Sequence, residues 1–134
     1  MAKQSGLSWS TLTVDDSTGT SATDIRNDVT NFQFATPRAV QDVTGIDKAA
    51  MERLLLLADF SMTLNGVFNA ALSHDVFKTI PTTSVSRTCI FTIASKTMTA
   101  ECMLTDYPLT RSASGELTFA VPGVLANGTA PTWS

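Results

Sequence analysis

The sequence predicts a mainly β domain, and three observations carry that expectation. Of the 134 residues, 21 are Thr, 9 are Val and 5 are Ile, a β-branched share that suits pleated, half-buried surfaces better than helices. Charged residues make up only 16% and hydrophobic residues 43%, which supplies a core and excludes disorder as the dominant state. The third observation is periodicity, because apolar residues in several stretches alternate with polar ones in the two-residue repeat of a strand. The length fits one domain over residues 1–134, able to bury a core without a metal or disulfide staple. The elements expected are strands for most of the chain, one flanking α-helix and a long β-hairpin.

Residues 1–31 form the polar part of the chain. Leu7–Val14 leads into Asp15-Asp16-Ser17-Thr18-Gly19-Thr20-Ser21, the composition of a turn or mobile loop. Leu7, Trp9 and Leu12 are the only strong apolar anchors near its start, so this N-terminal arm is expected to be mobile in an isolated subunit. The competing expectation makes Leu7–Val14 an ordinary strand of the subunit's own sandwich.

A strand is predicted at Thr30–Ala35, with Phe32 and Phe34 on one face; Pro37 interrupts it and Ala39–Thr44 resumes it. Asp47 as an N-cap, with Met51, Leu54 and Leu55 at i, i+3 and i+4, predicts a short helix. From Ala58 the period changes to two: Ala58, Phe60, Met62 and Leu64 mark a strand that Asn65-Gly66 should end. Phe68, Leu72, Val76 and Ile80, four apart and closed by Pro81, predict the flanking helix over 67–80.

Strands Arg87–Ala94 and Thr97–Asp106 flank Ser95-Lys96, which predicts a two-residue hairpin. Its register would set Ile93 opposite Met98, Phe91 opposite Ala100, Cys89 opposite Cys102 and Arg87 opposite Leu104, with one face almost wholly apolar. Tyr107 and Leu109 then change face, as a bulge near Thr105 or Asp106 would allow. Ser112–Gly115 turns the chain into a last strand through Leu117, Phe119 and Val121, stopped by Pro122-Gly123. Asn127-Gly128-Thr129 makes one more turn before Trp133.

Several function classes fall away. The net charge is −3 with nine scattered basic residues, which gives no basic stripe for a phosphate backbone. The longest apolar run, Leu54–Ala58, is far too short for a membrane span, and residues 1–6 lack the apolar segment of a secretory signal. Ser73-His74-Asp75 names three triad members, but helix neighbours point ~100° apart and cannot relay a proton along one line. Cys89 and Cys102, if opposite each other, would lie ~4.5–5.5 Å apart at Cα, within disulfide reach. In a reducing cytoplasm two buried thiols are the expected state. His74 is the only histidine, and no tight Cys/His spacing marks a metal site. No catalytic, cofactor-binding or metal residues are assigned, and a non-enzymatic structural role is expected.

Asp42-Val43-Thr44, followed by Asp59-Phe60-Ser61-Met62-Thr63-Leu64-Asn65-Gly66-Val67-Phe68, resembles the major tail tube proteins of long-tailed, siphovirus-like bacteriophages. Glu101–Leu109, Gly115-Glu116-Leu117-Thr118-Phe119 and Asn127-Gly128-Thr129 extend the likeness to the C-terminus, over roughly residues 30–134. Met51–Leu57 departs from the Gly- and aromatic-rich loop usual in that family. The resemblance implies a β-sandwich or barrel-like tail-tube fold with one flanking helix, whose copies form homohexameric rings stacked into a hollow tube. It implies assembly in the host cytoplasm around a tape-measure protein, with terminator and distal tail proteins at the ends. It also implies a virion location, no membrane, and double-stranded DNA passing in transit without specific binding. A mildly acidic subunit would repel phosphates rather than hold them. The N-terminal arm and the Asp47–Leu57 segment, through Leu7, Trp9, Leu12, Met51, Leu54 and Leu55, are expected to meet a neighbouring ring, with Trp9 inserted at that contact. The alternatives are a monomeric β-sandwich adhesion or decoration module, and a secretion-system tube protein of the same fold.

Overall fold

A computed structural model describes residues 3–134. After one 3-10 turn at Gly6–Ser8 come β1 (Trp9–Asp15), β2 (Ala22–Asp24), β3 (Val29–Ala35), β4 (Arg38–Asp42), β5 (Arg53–Ala58) and β6 (Ser61–Val67). A short helix α1 (Ser73–Phe77) follows. The chain continues through β7 (Arg87–Ile93), β8 (Lys96–Leu104), β9 (Leu109–Arg111), β10 (Leu117–Leu125) and β11 (Thr132–Trp133). Nine strands form one antiparallel sheet in the order β2-β1-β7-β8-β10-β6-β3, with β9 added on β10 and β11 on β8. β4 and β5 pair only with each other, as a hairpin separate from that sheet. The mainly β, sandwich-like architecture agrees with the sequence expectation.

The large sheet folds over on itself. Phe34 of terminal strand β3 stacks on Phe91 of β7 at 4.5 Å between ring centroids, although three strands separate them in the ladder. Trp9 of β1 meets Phe32 of β3 edge-on at 4.8 Å. Such contacts require two facing layers, and between them lie Leu12, Val14, Phe60, Met62, Leu64, Phe91, Met98, Phe119 and Val121, all buried. α1 closes one end, with Val76 and Phe77 inward and the Phe77 ring 5.4 Å from Phe119.

Buried polar groups tie this end together. The Arg87 guanidinium is only 1% exposed and donates to the carbonyls of Val76 and Asp15, the latter at 3.3 Å, and to the Thr79 hydroxyl at 3.2 Å. Burial pulls its pKa down, opposed by the nearby Asp16 carboxylate. Asp28 reaches the start of α1, where its carboxylate accepts from the Ser73 amide at 3.0 Å and the Asn69 side chain at 3.1 Å. It satisfies a first-turn N–H of the helix that a local side-chain cap would otherwise satisfy.

Several expectations need correction. Residues 9–15 are not a free arm: β1 pairs with β7 and β2, Leu12 is 1% exposed, and Val14 is fully buried. The helix expected over 47–55 is absent. Val43 and Glu52 close a backbone hydrogen bond at 3.0 Å, and Arg53–Ala58 is strand β5, since cross-strand pairing outweighs the local helical spacing. Asn65-Gly66 does not end β6. Gly66 lies between β3 and β10, where a methyl group would overlap the Asp28 carbonyl and the Phe119 ring. The flanking helix shrinks to Ser73–Phe77 because β6 runs through Val67 and Phe68 bonds to the Leu117 carbonyl.

The β7–β8 hairpin turns at Ala94-Ser95, both with positive φ (52° and 63°), so Lys96 stays in the ladder opposite Ile93. The register therefore moves by two residues: Phe91 faces Met98, Cys89 faces Ala100 and Arg87 faces Cys102. A two-residue slip preserves the face, so the apolar set stays inward. Cys89 and Cys102 are buried free thiols in diagonal positions, not opposite ones. The Cys102 thiol beside it and burial together push the Cys89 thiol well up. No bulge is needed near Thr105: β8 ends at Leu104 and β9 starts afresh. β10 passes through Pro122 because the Pro122 carbonyl faces Thr105, just past the end of β8, where no ladder donor is required.

These contacts make the N-terminal strand a direct test of the fold. Leu12→Ala should cost about 2–5 kcal/mol in denaturant unfolding, as expected for a core leucine. Unchanged stability would show that β1 is not packed in this core.

Candidate functional site

The residues with most to explain lie in the β4–β5 hairpin. In β5, Arg53-Leu54-Leu55-Leu56-Leu57 is exposed throughout, and Val40, Val43, Ile46 and Met51 add further open apolar surface. A two-stranded ribbon has marginal stability in water, and an apolar patch of this kind on a soluble domain marks an interaction surface. It is the clearest candidate for a working site among the described residues.

The hairpin is nonetheless well built. Val40 pairs with Leu55, Gln41 with Leu54 and Asp42 with Arg53, and a bulge opposite Ala39 absorbs one extra residue before Arg38 meets Ala58. At its far end Asp42-Val43-Thr44 works as a clasp. The Asp42 carboxylate accepts from the Thr44 amide at 2.9 Å and the Thr44 hydroxyl at 2.6 Å, and the Thr44 oxygen in turn accepts from the Glu52 amide at 2.8 Å. The Thr44 bonds hold the Asp42 carboxyl below its ordinary pKa. Lys48 lies 3.5 Å from Asp47 and 3.7 Å from Glu52, exposed pairs that add little stability. At the base, Arg38 donates to the Leu56 carbonyl at 2.8 Å.

The six residues expected at a contact separate into two places. Met51, Leu54 and Leu55 stand together on the hairpin, each more than half exposed. Leu7, Trp9 and Leu12 line a groove of about 470 Å³ with Val29 and Phe32. Leu7 is open there, whereas Leu12 forms the buried floor and Trp9 is held edge-on against Phe32 and Phe34. Trp9 is therefore a wall of its own subunit and not a free inserting anchor. Leu56 and Leu57 lie in the expected Asp47–Leu57 segment and are exposed with Met51, Leu54 and Leu55, whereas exposed Val40 and Ile46 lie outside it. The sequence signal for Leu56 and Leu57 is the unbroken apolar run Leu54–Ala58, too short for a membrane span yet too apolar for a solvated strand.

Ser73, His74 and Asp75 engage different partners. Ser73 is buried, His74 Nδ1 and Tyr107 Oη share a hydrogen bond of 3.2 Å, and Asp75 pairs with Lys78 at 3.0 Å on the surface. Ser73 is the first residue of α1 and not its cap, and His74 is half-buried against Tyr107. No helix among the described residues is long and apolar enough to cross a membrane.

No family model and no curated protein sequence matches the chain. Solved structures do. The chain is similar to one in the virion of a native gene transfer agent particle, with a TM-score of 0.73 and 19% identity over 98% of this chain and 99% of that one. It is also similar to a chain in the tail of an empty gene transfer agent particle refined helically with C6 symmetry, with a TM-score of 0.73 and 18% identity over the same shares.

The clasp predicts a pH response at the hairpin tip. A folded-state pKa below the unfolded value means that the stabilisation is present above the unfolded value and lost as pH falls through the folded one. In an NMR titration the Thr44 amide should report a midpoint below that of an unperturbed aspartate. A midpoint at or above the ordinary value, or no response, would show that Asp42 does not hold the tip.

Proposed function

We propose that this chain is a structural tail tube protein of a phage-like particle, either a long-tailed phage or a gene transfer agent. Copies form sixfold rings that stack into a hollow tube, and the tube conducts double-stranded DNA during ejection. One observation carries the proposal: a complete small domain holds out an ordered apolar hairpin that its own core leaves uncovered. A subunit that lives among copies of itself has a use for such a surface, whereas a monomeric adhesion module would leave it in water. The full-length similarity to a chain of a C6-symmetric tail supports the same reading. The tape-measure, terminator and distal tail proteins are the expected partners, and assembly takes place in the host cytoplasm.

In this role Met51, Leu54 and Leu55 contact the next ring, with exposed Leu7 at the receiving side. The net charge of −3 per subunit suits a conduit that lets DNA slide. The purified chain, alone or with a nucleating partner, should give rings or tubes with sixfold symmetry by negative-stain microscopy. A monodisperse 14 kDa monomer by light scattering at every concentration and salt would contradict the proposal.

A further inference from the structure

Asn followed by Gly occurs twice in the chain, at 65–66 and at 127–128, and the fold treats the two pairs in opposite ways. The dipeptide carries its own reagent. With no side chain on the glycine, its backbone nitrogen can reach the asparagine Cγ and close a five-membered imide. That closure requires rotation about the asparagine Cα–C bond, out of the extended strand conformation.

Asn65-Gly66 is denied the rotation. Asn65 pairs with Asn31 and Ala120, and Gly66 with Val29 and Phe119, so both are held in β6 by neighbours on either side. The Asn65 side chain donates to Asn31 Oδ1 at 2.7 Å, and its main-chain carbonyl accepts from the Thr30 hydroxyl at 3.2 Å. Asn127-Gly128 stands instead in the exposed loop between β10 and β11, with Gly128 at φ 72°. The Gly128 N–H makes no backbone hydrogen bond among the described residues, and a methyl group built on Gly128 would meet nothing within 4 Å. The Thr129 amide donates to Asn127 Oδ1 at 3.0 Å, which turns the side-chain carbonyl back over the next peptide and polarises its carbon.

The loop is also tethered at both ends. The Ala126 amide donates to the Glu101 carbonyl at 2.9 Å and Thr132 pairs with Thr99, so residues 127–131 bridge two nearby points of β8. β11 is only Thr132–Trp133, extended by reciprocal Thr97–Ser134 backbone bonds at 2.9 Å, and it lays the Trp133 ring 5.8 Å from Phe34. A strand this short tolerates little change in the length of the loop that delivers it.

We propose that Asn127-Gly128 is a self-modifying site, where conversion of Asn127 to isoaspartate releases β11 from β8. The Gly128 nitrogen attacks Asn127 Cγ. The N–Cγ bond forms, the Cγ–Nδ2 bond breaks, and ammonia leaves with the Gly128 amide proton. Water then opens the imide. Addition at Cγ gives aspartate, and addition at the Asn127 main-chain carbonyl carbon gives isoaspartate, with the chain rerouted through Cβ and Cγ. Water is the sole co-reactant, and nothing is oxidised or reduced. Isoaspartate lengthens the main chain by one carbon–carbon bond, about 1.5 Å, and puts a carboxylate on the loop. The reaction belongs to the single folded chain and stands apart from the tube reading.

Peptide mapping by mass spectrometry tests it on the folded full-length chain, dispersed in mildly alkaline buffer. The 127–128 peptide should exchange amide for acid at least about tenfold faster than the 65–66 peptide, because ladder hydrogen bonds oppose closure in the second pair alone. In urea the two rates should converge. Isoaspartyl methyltransferase should label the 127–128 product. Hydrogen exchange at the Thr97 and Ser134 amides should then be at least about fivefold faster in the isoaspartate form. Asn127→Gln, whose longer side chain does not close the five-membered ring, should keep those amides protected through the same incubation. Asn127→Asp, which adds the charge without the extra bond, should protect them before incubation as the wild-type chain does. Equal rates at the two pairs in the folded chain, or an Asn127 amide lost only in urea, would overturn the site. Isoaspartate at 127 with unchanged exchange at Thr97 and Ser134 would overturn the release of β11.

Discussion

Three rings, Phe34, Phe60 and Phe91, hold the body and the hairpin in one frame. Phe34 lies near the end of β3, two residues before the link into β4, and Phe60 lies two residues beyond the end of β5. They stack on each other at 6.1 Å, and Phe91 of the opposite layer lies 4.5 Å from one and 6.4 Å from the other. The two legs of the hairpin thus leave the core from a single aromatic cluster. Without it the sheet would open and the hairpin would lose its direction; with it, an element with no core of its own is held out as a defined projection. Offset and edge-on ring contacts add about 0.5–1.5 kcal/mol per pair beyond area burial, which suits them to fixing such an exit.

Behind that frame the molecule divides its apolar residues between two tasks. One set, from Leu12 to Val121, is sealed inside the folded-over sheet and completed by buried polar ties at Arg87 and Asp28. The other, from Val40 to Leu57, is ordered by backbone pairing and the Asp42–Thr44 clasp but left open. The first set makes a folded body; the second is the surface that the proposed assembly buries. The low surface charge and the abundance of Thr and Ser fit the same account, because surfaces destined for contact are depleted of charge.

Much of the body was legible in the sequence. The alternation through Phe32 and Phe34, through Phe60, Met62 and Leu64, and through Phe119 and Val121 gave strands and faces correctly, since side-chain period depends only on local geometry. What failed depended on contacts far along the chain. Gly66 looked like a turn because nothing local reveals that two strands and a phenylalanine ring press on it. Asp47–Leu55 looked helical because spacing does not report that Glu52 and Arg53 have strand partners in Val43 and Asp42. The hairpin register slipped by two because either dipeptide could occupy the turn, and only positive φ at Ala94 and Ser95 decides between them. Met51, Leu54 and Leu55 are exposed, but beside and within strand β5 and not on the helix expected there. Leu12 was misplaced outside the core because polar neighbours hid the strand it belongs to.

The central claim is that the body is complete in a single subunit and the hairpin is not. Hydrogen–deuterium exchange, followed by peptide in dispersed subunits and again in assembled tubes, tests this directly. Amides of residues 38–58 should exchange fast in the subunit and slow at least tenfold on assembly, while the strands around Phe91 and Val121 keep the same strong protection in both states. A hairpin already as protected in the dispersed subunit as in the tube, or protection gained only elsewhere, would contradict the account.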